Sequence, residues 1–238
     1  VSVIPEFAKT NDDDHKIIIL LDESGSMNTV RADILKSLNA FIEEQRTVPV
    51  NAAGGGAVFT LIKFNDRVNT VRLNVKFDTV RALSEADYVP TNGTALYDAI
   101  GATLDAYKNE KNVLVVIVTD GEENSSKKYD RETIAKRIDQ LKDDKSADWS
   151  FVYIGCDSVT ERQGASIGMR AGANCSHLTP AGGQVKMGAC LGMVSQGLYS
   201  QRRDESMSYC GSAAPKRGYS SLNSTLNTQK DAVYGAGL

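Results

Sequence analysis

Three short segments of this chain space oxygen-bearing side chains in a way that suits a hard metal ion. The first is Asp22-Glu-Ser-Gly-Ser26, a D-x-S-x-S pattern. While the chain stays extended, residues two apart point the same way, so Asp22, Ser24 and Ser26 can converge on one point. The second, Thr91-Asn-Gly-Thr94, offers hydroxyls just ahead of a helical pattern, and the third, Thr119-Asp120-Gly121, adds another carboxylate. The two carboxylates and the hydroxyls of these three segments include no soft or nitrogen donor, which favours Mg2+, Mn2+ or Ca2+ over zinc or copper. Two carboxylates just neutralise a divalent ion, and hydroxyls leave it a good Lewis acid toward an incoming carboxylate. Dedicated Ca2+ cages usually bring more carboxylates, so Mg2+ is the expected ion, with Mn2+ and Ca2+ as alternatives.

Such convergence requires the three segments to meet at one edge of a sheet. The continuous apolar runs at 17–21 and 113–118 read as parallel strands covered on both faces. Asp22 follows the first run directly and Asp120 follows the second after Thr119. Open α/β sheets bind ligands beyond the carboxyl ends of their strands. Apolar residues Val30, Ile34, Leu35, Leu38, Phe41 and Ile42 have helical spacing, and further helices are expected over 95–109, 130–141, 160–169 and 183–200. Residues 57–64, 150–154 and 173–178 read as more strands. Asn65-Asp66 turns the chain into 67–73, an antiparallel partner at the sheet edge. The expected class is α/β: a doubly wound, mostly parallel sheet flanked by helices, with one antiparallel edge strand.

Residues 1–14 read as a solvated lead-in, 15–203 as the folded domain, and 204–238 as an extended or disordered arm rich in Ser, Gly and Tyr. The chain has 238 residues, a net charge of −3, 24% charged, 41% apolar and 7% aromatic residues, ample for one large core and without the basic or aromatic surface of a nucleic-acid binder. Its apolar runs are too short to span a bilayer. Cysteines 156, 175, 190 and 210 lack zinc-site spacing. Residues 1–5 carry no signal-peptide pattern, and glycans on the Asn92 and Asn124 sequons would smother the rim, so an intracellular setting is expected.

With D-x-S-x-S at Asp22, Ser24 and Ser26, the Gly93-Thr94 turn and Thr119-Asp120-Gly121, the chain resembles the von Willebrand factor A (vWA) domain and its metal-ion-dependent adhesion site (MIDAS). The resemblance runs from residue 16 to about 203. It implies that the hydroxyls of Ser24, Ser26 and Thr94 ligate the ion and that Asp22 and Asp120 bind it directly or through water. A partner's Glu or Asp would complete the octahedron, and the last helix would shift when that carboxylate arrives. The texture of Leu20-Leu-Asp-Glu-Ser-Gly-Ser-Met27 and Gly155-Cys-Asp157 looks like microbial or viral intracellular members. The expectation is a non-catalytic, Mg2+-dependent protein-binding module. Loops bearing Met27, Asn92, Glu122 and Asn124 would read the partner, with no role for nucleic acid or membrane.

Two other readings stand beside it. One is a structural subunit of a larger particle such as a virion, held through the 204–238 arm. The other is Mg2+-dependent phosphoryl transfer on Asp22, although Ser24 stands where an acid/base carboxylate would be needed. Gly164-Ala-Ser-Ile-Gly168 matches the G-x-S-x-G elbow as a string, but Ser166 falls in a helical pattern and no acid lies between it and His177. Gly54-Gly-Gly56 lacks the Lys-Ser/Thr of a P-loop.

Overall fold

A computed structural model describes residues 10, 14–48, 56–144, 146–169, 175–178, 187–208 and 220–234. Strand β1 (His15–Asp22) is followed by α1 (Arg31–Arg46), β2 (Ala57–Phe64) and β3 (Val68–Lys76). Then come α2 (Leu96–Ala106), β4 (Val113–Val118), α3 (Arg131–Asp143), β5 (Trp149–Ile154), α4 (Ser158–Ser166), β6 (Cys175–Leu178), α5 (Met187–Ser208) and α6 (Ser220–Tyr234). The strands form one sheet in the order β3-β2-β1-β4-β5-β6. Only the β2–β3 pair is antiparallel.

The apolar strands are buried because each face of the sheet has its own helical layer. Successive side chains of a strand alternate faces. Ile17, Ile19 and Leu21 of β1 therefore join Leu114, Val116 and Val118 of β4 under α1, α5 and α6. Ile18 and Leu20 join Val113, Val115 and Ile117 under α2 and α3. From β1 the chain winds outward through α1 to β2, and it later crosses back through α2 to β4 on the other side. The strand order thus reverses between β1 and β4, where a doubly wound sheet opens a crevice. Leu21 is in register with Val118, so Asp22 and the Thr119-Asp120 pair leave the sheet side by side.

Several boundaries differ from the sequence reading. Asp14 is buried rather than solvated, and its Oδ1 accepts the Gly56 amide at 2.9 Å. The helix expected to reach 169 ends at Ser166, and the part of the last helix expected at 183–186 lies outside the described residues. The largest change is at the C-terminus, expected to be extended or disordered from 204. There α5 continues to Ser208 and α6 forms over Ser220–Tyr234. Leu222 and Leu226, one helical turn apart, are buried in the same core as α5. Gly197 on α5 makes room, since a Cβ there would lie 2.8 Å from Leu222 Cδ1. A stripe of two leucines amid Ser and Asn is too sparse to stand out by composition, yet it suffices once α5 provides a surface.

Candidate metal centre

Asp22 ends β1 fully buried, and its carboxylate is fixed from two sides. Ser24 N donates to Oδ1 at 2.7 Å and Thr119 Oγ1 donates to Oδ2 at 2.5 Å. The buried Tyr88 hydroxyl holds the Asp22 carbonyl at 2.7 Å. Beyond Ser24 the chain makes a 3-10 turn over Gly25–Thr29, and Ser24 gives it no side-chain cap. Instead Ser24 Oγ lies 3.1 Å from Ser26 Oγ, which donates to Asp120 Oδ1 at 2.6 Å. Asp120 caps no helix either, because α3 begins ten residues later on the Asp130 carboxylate.

Thr94 comes from the turn ahead of α2. Asn92 holds φ 65°, a left-handed conformation that Asn tolerates well, and its carbonyl accepts the Gly25 amide at 3.1 Å. The segment after Asp120 then grips Thr94. Asn124 Oδ1 accepts Thr94 N at 2.9 Å, while the amides of Asn124 and Ser125 donate to Thr94 O at 3.0 and 3.1 Å. Glu123 ties the same segment to α2, accepting Tyr97 N at 3.0 Å on one carboxylate oxygen and the Ser125 and Ser126 amides on the other. A Cβ at Gly93 would collide with Ser125 Oγ and lie 2.6 Å from Asn124 Oδ1, so this close approach needs glycine.

Three of the five expected ligands, Asp22, Ser26 and Thr94, face Gly121, and Ser26 links them to the other two, Ser24 and Asp120. A Cβ on Gly121 would lie 2.9 Å from Thr94 Oγ1 and 3.5 Å from both Asp22 Oδ2 and Ser26 Oγ. Gly121 is not among the glycines with positive φ, so what it supplies here is space rather than an unusual backbone angle. Oxygens from two of the three segments face that space. Thr94 is only 2% exposed, and its hydroxyl makes no hydrogen bond to any described residue. A hydroxyl shielded to this extent and aimed into a cavity calls for a ligand or solvent. The hard donors, brought close together because Gly121 carries no side chain, fit a small divalent cation.

Burial pushes the Asp22 carboxyl up to about 6, against hydrogen bonds from Thr119 and Ser24 that pull it down. Burial also raises Asp120, opposed by the Ser26 hydrogen bond and reinforced by the Asp157 charge. Two carboxyls that both resist ionisation at one sheet edge are what a cation would relieve. Above them opens a cleft of about 510 Å³, lined by Ser24, Ser26, Thr94, Asp120, Asn92, Glu122 and Asn124 from the expected set, with Gly121, Asp157, Val159 and Thr160 added.

Asn92, Glu122 and Asn124 thus stand at the mouth, each exposed. Met27 does not. It is fully buried in the core with α1 and β1, because the 3-10 turn rotates it inward, and it cannot meet a partner. Sequence reasoning missed the supports Thr119, Tyr88 and Glu123. Only Thr119 was within a recognised motif. Glu23 points away from Asp22, as alternation requires, and pairs with Lys63 at 2.6 Å. Ser166 closes α4 and donates back to Gln163 O, so it is no nucleophile elbow.

Residues 17–123 match the family model described as von Willebrand factor type A domain. The fold is of the vWA type. Among solved structures, proximal thread matrix protein 1 from the mussel byssus superposes with TM-score 0.53 at 20% identity, over 76% of this chain and 46% of that one. Another structure of that mussel protein is described as having a zinc-occupied MIDAS motif, with TM-score 0.51 at 19% identity, over 76% of this chain and 47% of that one. The ArnB paralog VWA2 from Sulfolobus acidocaldarius gives TM-score 0.50 at 13% identity, over 75% of this chain and 44% of that one. The chain therefore spans less than half the length of these structures, and the likeness is one of fold. No curated protein matches the chain at a significant level. No helix of this vWA-type domain is long and apolar enough to cross a membrane among the described residues.

Proposed function

We propose that this protein is a non-catalytic, divalent-cation-dependent protein-binding module of the MIDAS kind, with Mg2+ as its resident ion. The observation that carries the reading is the convergence of oxygens from three segments on one cleft: Ser24, Ser26, Thr94 and Asp120 line it, with Ser26 Oγ 3.1 Å from Ser24 Oγ and 2.6 Å from Asp120 Oδ1, and Asp22 lies directly beneath. Ser24, Ser26 and Thr94 would hold the ion with hydroxyls, while Asp22 and Asp120 supply its charge balance. A bound cation would contribute Lewis acidity toward a partner's Asp or Glu carboxylate. The chain's own residues do the rest. Thr119, Tyr88 and the Ser24 amide orient Asp22, Asn124 fixes Thr94, and the cleft mouth bearing Asn92 and Glu122 meets the partner surface.

The mussel protein's zinc-occupied MIDAS supports divalent-ion binding by this fold. An intracellular setting fits, because glycans on Asn92 or Asn124 would cover the cleft, and Asn223 of a third sequon is buried in α6. The assembly-subunit reading gains no support from α6, whose leucines sit on this domain's own α5. Phosphoryl transfer would need a second acid beside Asp22, and the nearest in sequence, Glu23, is held by Lys63 and the Val89 amide.

Calorimetric titration with Mg2+ and Mn2+ tests the reading, in wild type, Asp22→Ala and Ser24→Ala, with and without acetate as a mock partner carboxylate. Binding that both substitutions abolish and acetate tightens is expected. No binding at millimolar metal in wild type would overturn it.

A further inference from the structure

The cleft carries more negative charge than one divalent ion can neutralise. Asp120, Glu122 and Asp157 line it, Asp22 lies beneath, and no lysine or arginine lines it among the described residues. A dication matched to Asp22 and Asp120 leaves two carboxylates at the mouth. These two differ. The Asp157 carboxylate caps α4, accepting Val159 N at 3.0 Å and Thr160 N at 2.9 Å, so helix amides already stabilise its charge. Glu122 is exposed and forms no hydrogen bond or ion pair with any described residue, whereas Glu123 beside it uses both carboxylate oxygens internally. Independently of these acids, the hydroxyl of Thr94, a residue only 2% exposed, faces the same cleft with no hydrogen-bond partner among the described residues.

From this arrangement we infer that the partner's metal-seeking Asp or Glu is flanked by Lys or Arg, and that Glu122 is the residue that reads the flanking cation. The inference rests on the metal-dependent reading above and specifies its partner. A bare carboxylate entering this cleft adds a like charge to a mouth that stays negative after the metal is bound. At short range inside a cleft that repulsion is only partly screened. A neighbouring ammonium or guanidinium converts it into attraction at Glu122. Charge arranged in this way mainly rejects wrong partners and speeds encounter with the right one. The fitting partner is therefore a mixed-charge segment, basic overall, with one acidic side chain projecting from it.

Three peptides of equal length, each with one central Asp flanked by Lys, Ala or Glu, are titrated into the full chain at saturating Mn2+. A fourth replaces the central Asp of the Lys-flanked peptide by Ala. Wild type should bind the Lys-flanked peptide roughly tenfold more tightly than the Ala-flanked one, and the Glu-flanked peptide most weakly. Glu122→Gln should shrink the Lys-to-Ala ratio at least about threefold, and Glu122→Lys should close or invert the order of the Lys- and Glu-flanked peptides. Equal affinities in wild type, an unchanged ratio in both variants, or equal binding of the peptide lacking Asp would overturn the inference. Mn2+ binding is read first by electron paramagnetic resonance without peptide. Absence of bound Mn2+ would overturn the metal reading and the inference together, while bound Mn2+ with no flanking preference would overturn the inference alone.

Discussion

At Gly121 a single methyl group is expected to decide whether the proposed site can hold an ion. The Cβ of Gly121→Ala would sit 2.9 Å from Thr94 Oγ1 in the space that Asp22 and Ser26 also face. Backbone conformation does not demand glycine there, so the substitution should leave the fold intact while filling the cradle. Metal affinity is expected to fall more than about tenfold, with the melting temperature of the metal-free protein within a few degrees of wild type. Calorimetry beside a thermal melt measures both. Asn124 acts differently, through Thr94. Asn124→Ala removes the acceptor of Thr94 N and leaves the hydroxyl less well placed. One such hydrogen bond is worth about 1 kcal/mol, so metal affinity should weaken roughly three- to tenfold. Unchanged affinity in Asn124→Ala would show that the backbone bonds to Thr94 O hold it alone.

The elements themselves were largely written in the pattern, and the exceptions are instructive. Apolar strands 17–21 and 113–118, with carboxylates close behind them, read as they fold because a strand buried on both faces has no polar position to confuse its span. Met27 holds a loop position that suggests exposure, and nothing local in the sequence says that a 3-10 turn rather than a coil follows Ser24 and buries it. The supports Tyr88 and Glu123 were invisible for another reason: their partners are the Asp22 carbonyl and the Tyr97 amide, and backbone groups leave no trace in composition. Helix α6 was missed because only Leu222 and Leu226 mark it, and their worth depends on Gly197 opposite. Leu226→Ala is expected to destabilise the protein by about 2–5 kcal/mol, as for other fully buried leucines, read by urea unfolding. A loss below about 0.5 kcal/mol would mean that α6 contributes little to the folded domain. On the same face α5 is pinned to α1 by Asp33 at Gly188 N, by Gln45 at Ser195 O and by Arg202 at Gln45 Oε1. A shift of α5 on partner binding, implied by the vWA resemblance, would have to break this set.

Across the whole molecule, the buried Asp22 couples stability to pH and to metal in opposite senses. In the metal-free fold its carboxyl is held near 6, against 3.8 for the ordinary side chain. Below about pH 4 the proton stays on in both folded and unfolded chains, and the favourable neutral burial is fully present. As pH rises from about 4 through 6, the unfolded chain ionises first and the folded protein loses that advantage. The loss is on the order of 3 kcal/mol by pH 7. Asp120 moves in the same direction, so the contribution of Asp22 is isolated by subtracting Asp22→Asn, which cannot titrate. The stability of wild type relative to that variant should fall across this window in chelator-treated protein. Metal ligands must be deprotonated to bind, so metal should stabilise wild type least at pH 4 and most at pH 7. At a hundred times its dissociation constant an ion binding only the folded state adds about 2.7 kcal/mol, comparable to what ionising Asp22 removes. Urea unfolding of both proteins at pH 4, 5, 6 and 7, with chelator and with Mg2+, gives the whole relation. Wild type in Mg2+ should lose most of the downward slope, while Asp22→Asn should keep only the part due to Asp120 and gain nothing from Mg2+. A slope in chelator that is as steep in Asp22→Asn as in wild type would locate the titrating carboxyl elsewhere, with Asp120 the next candidate.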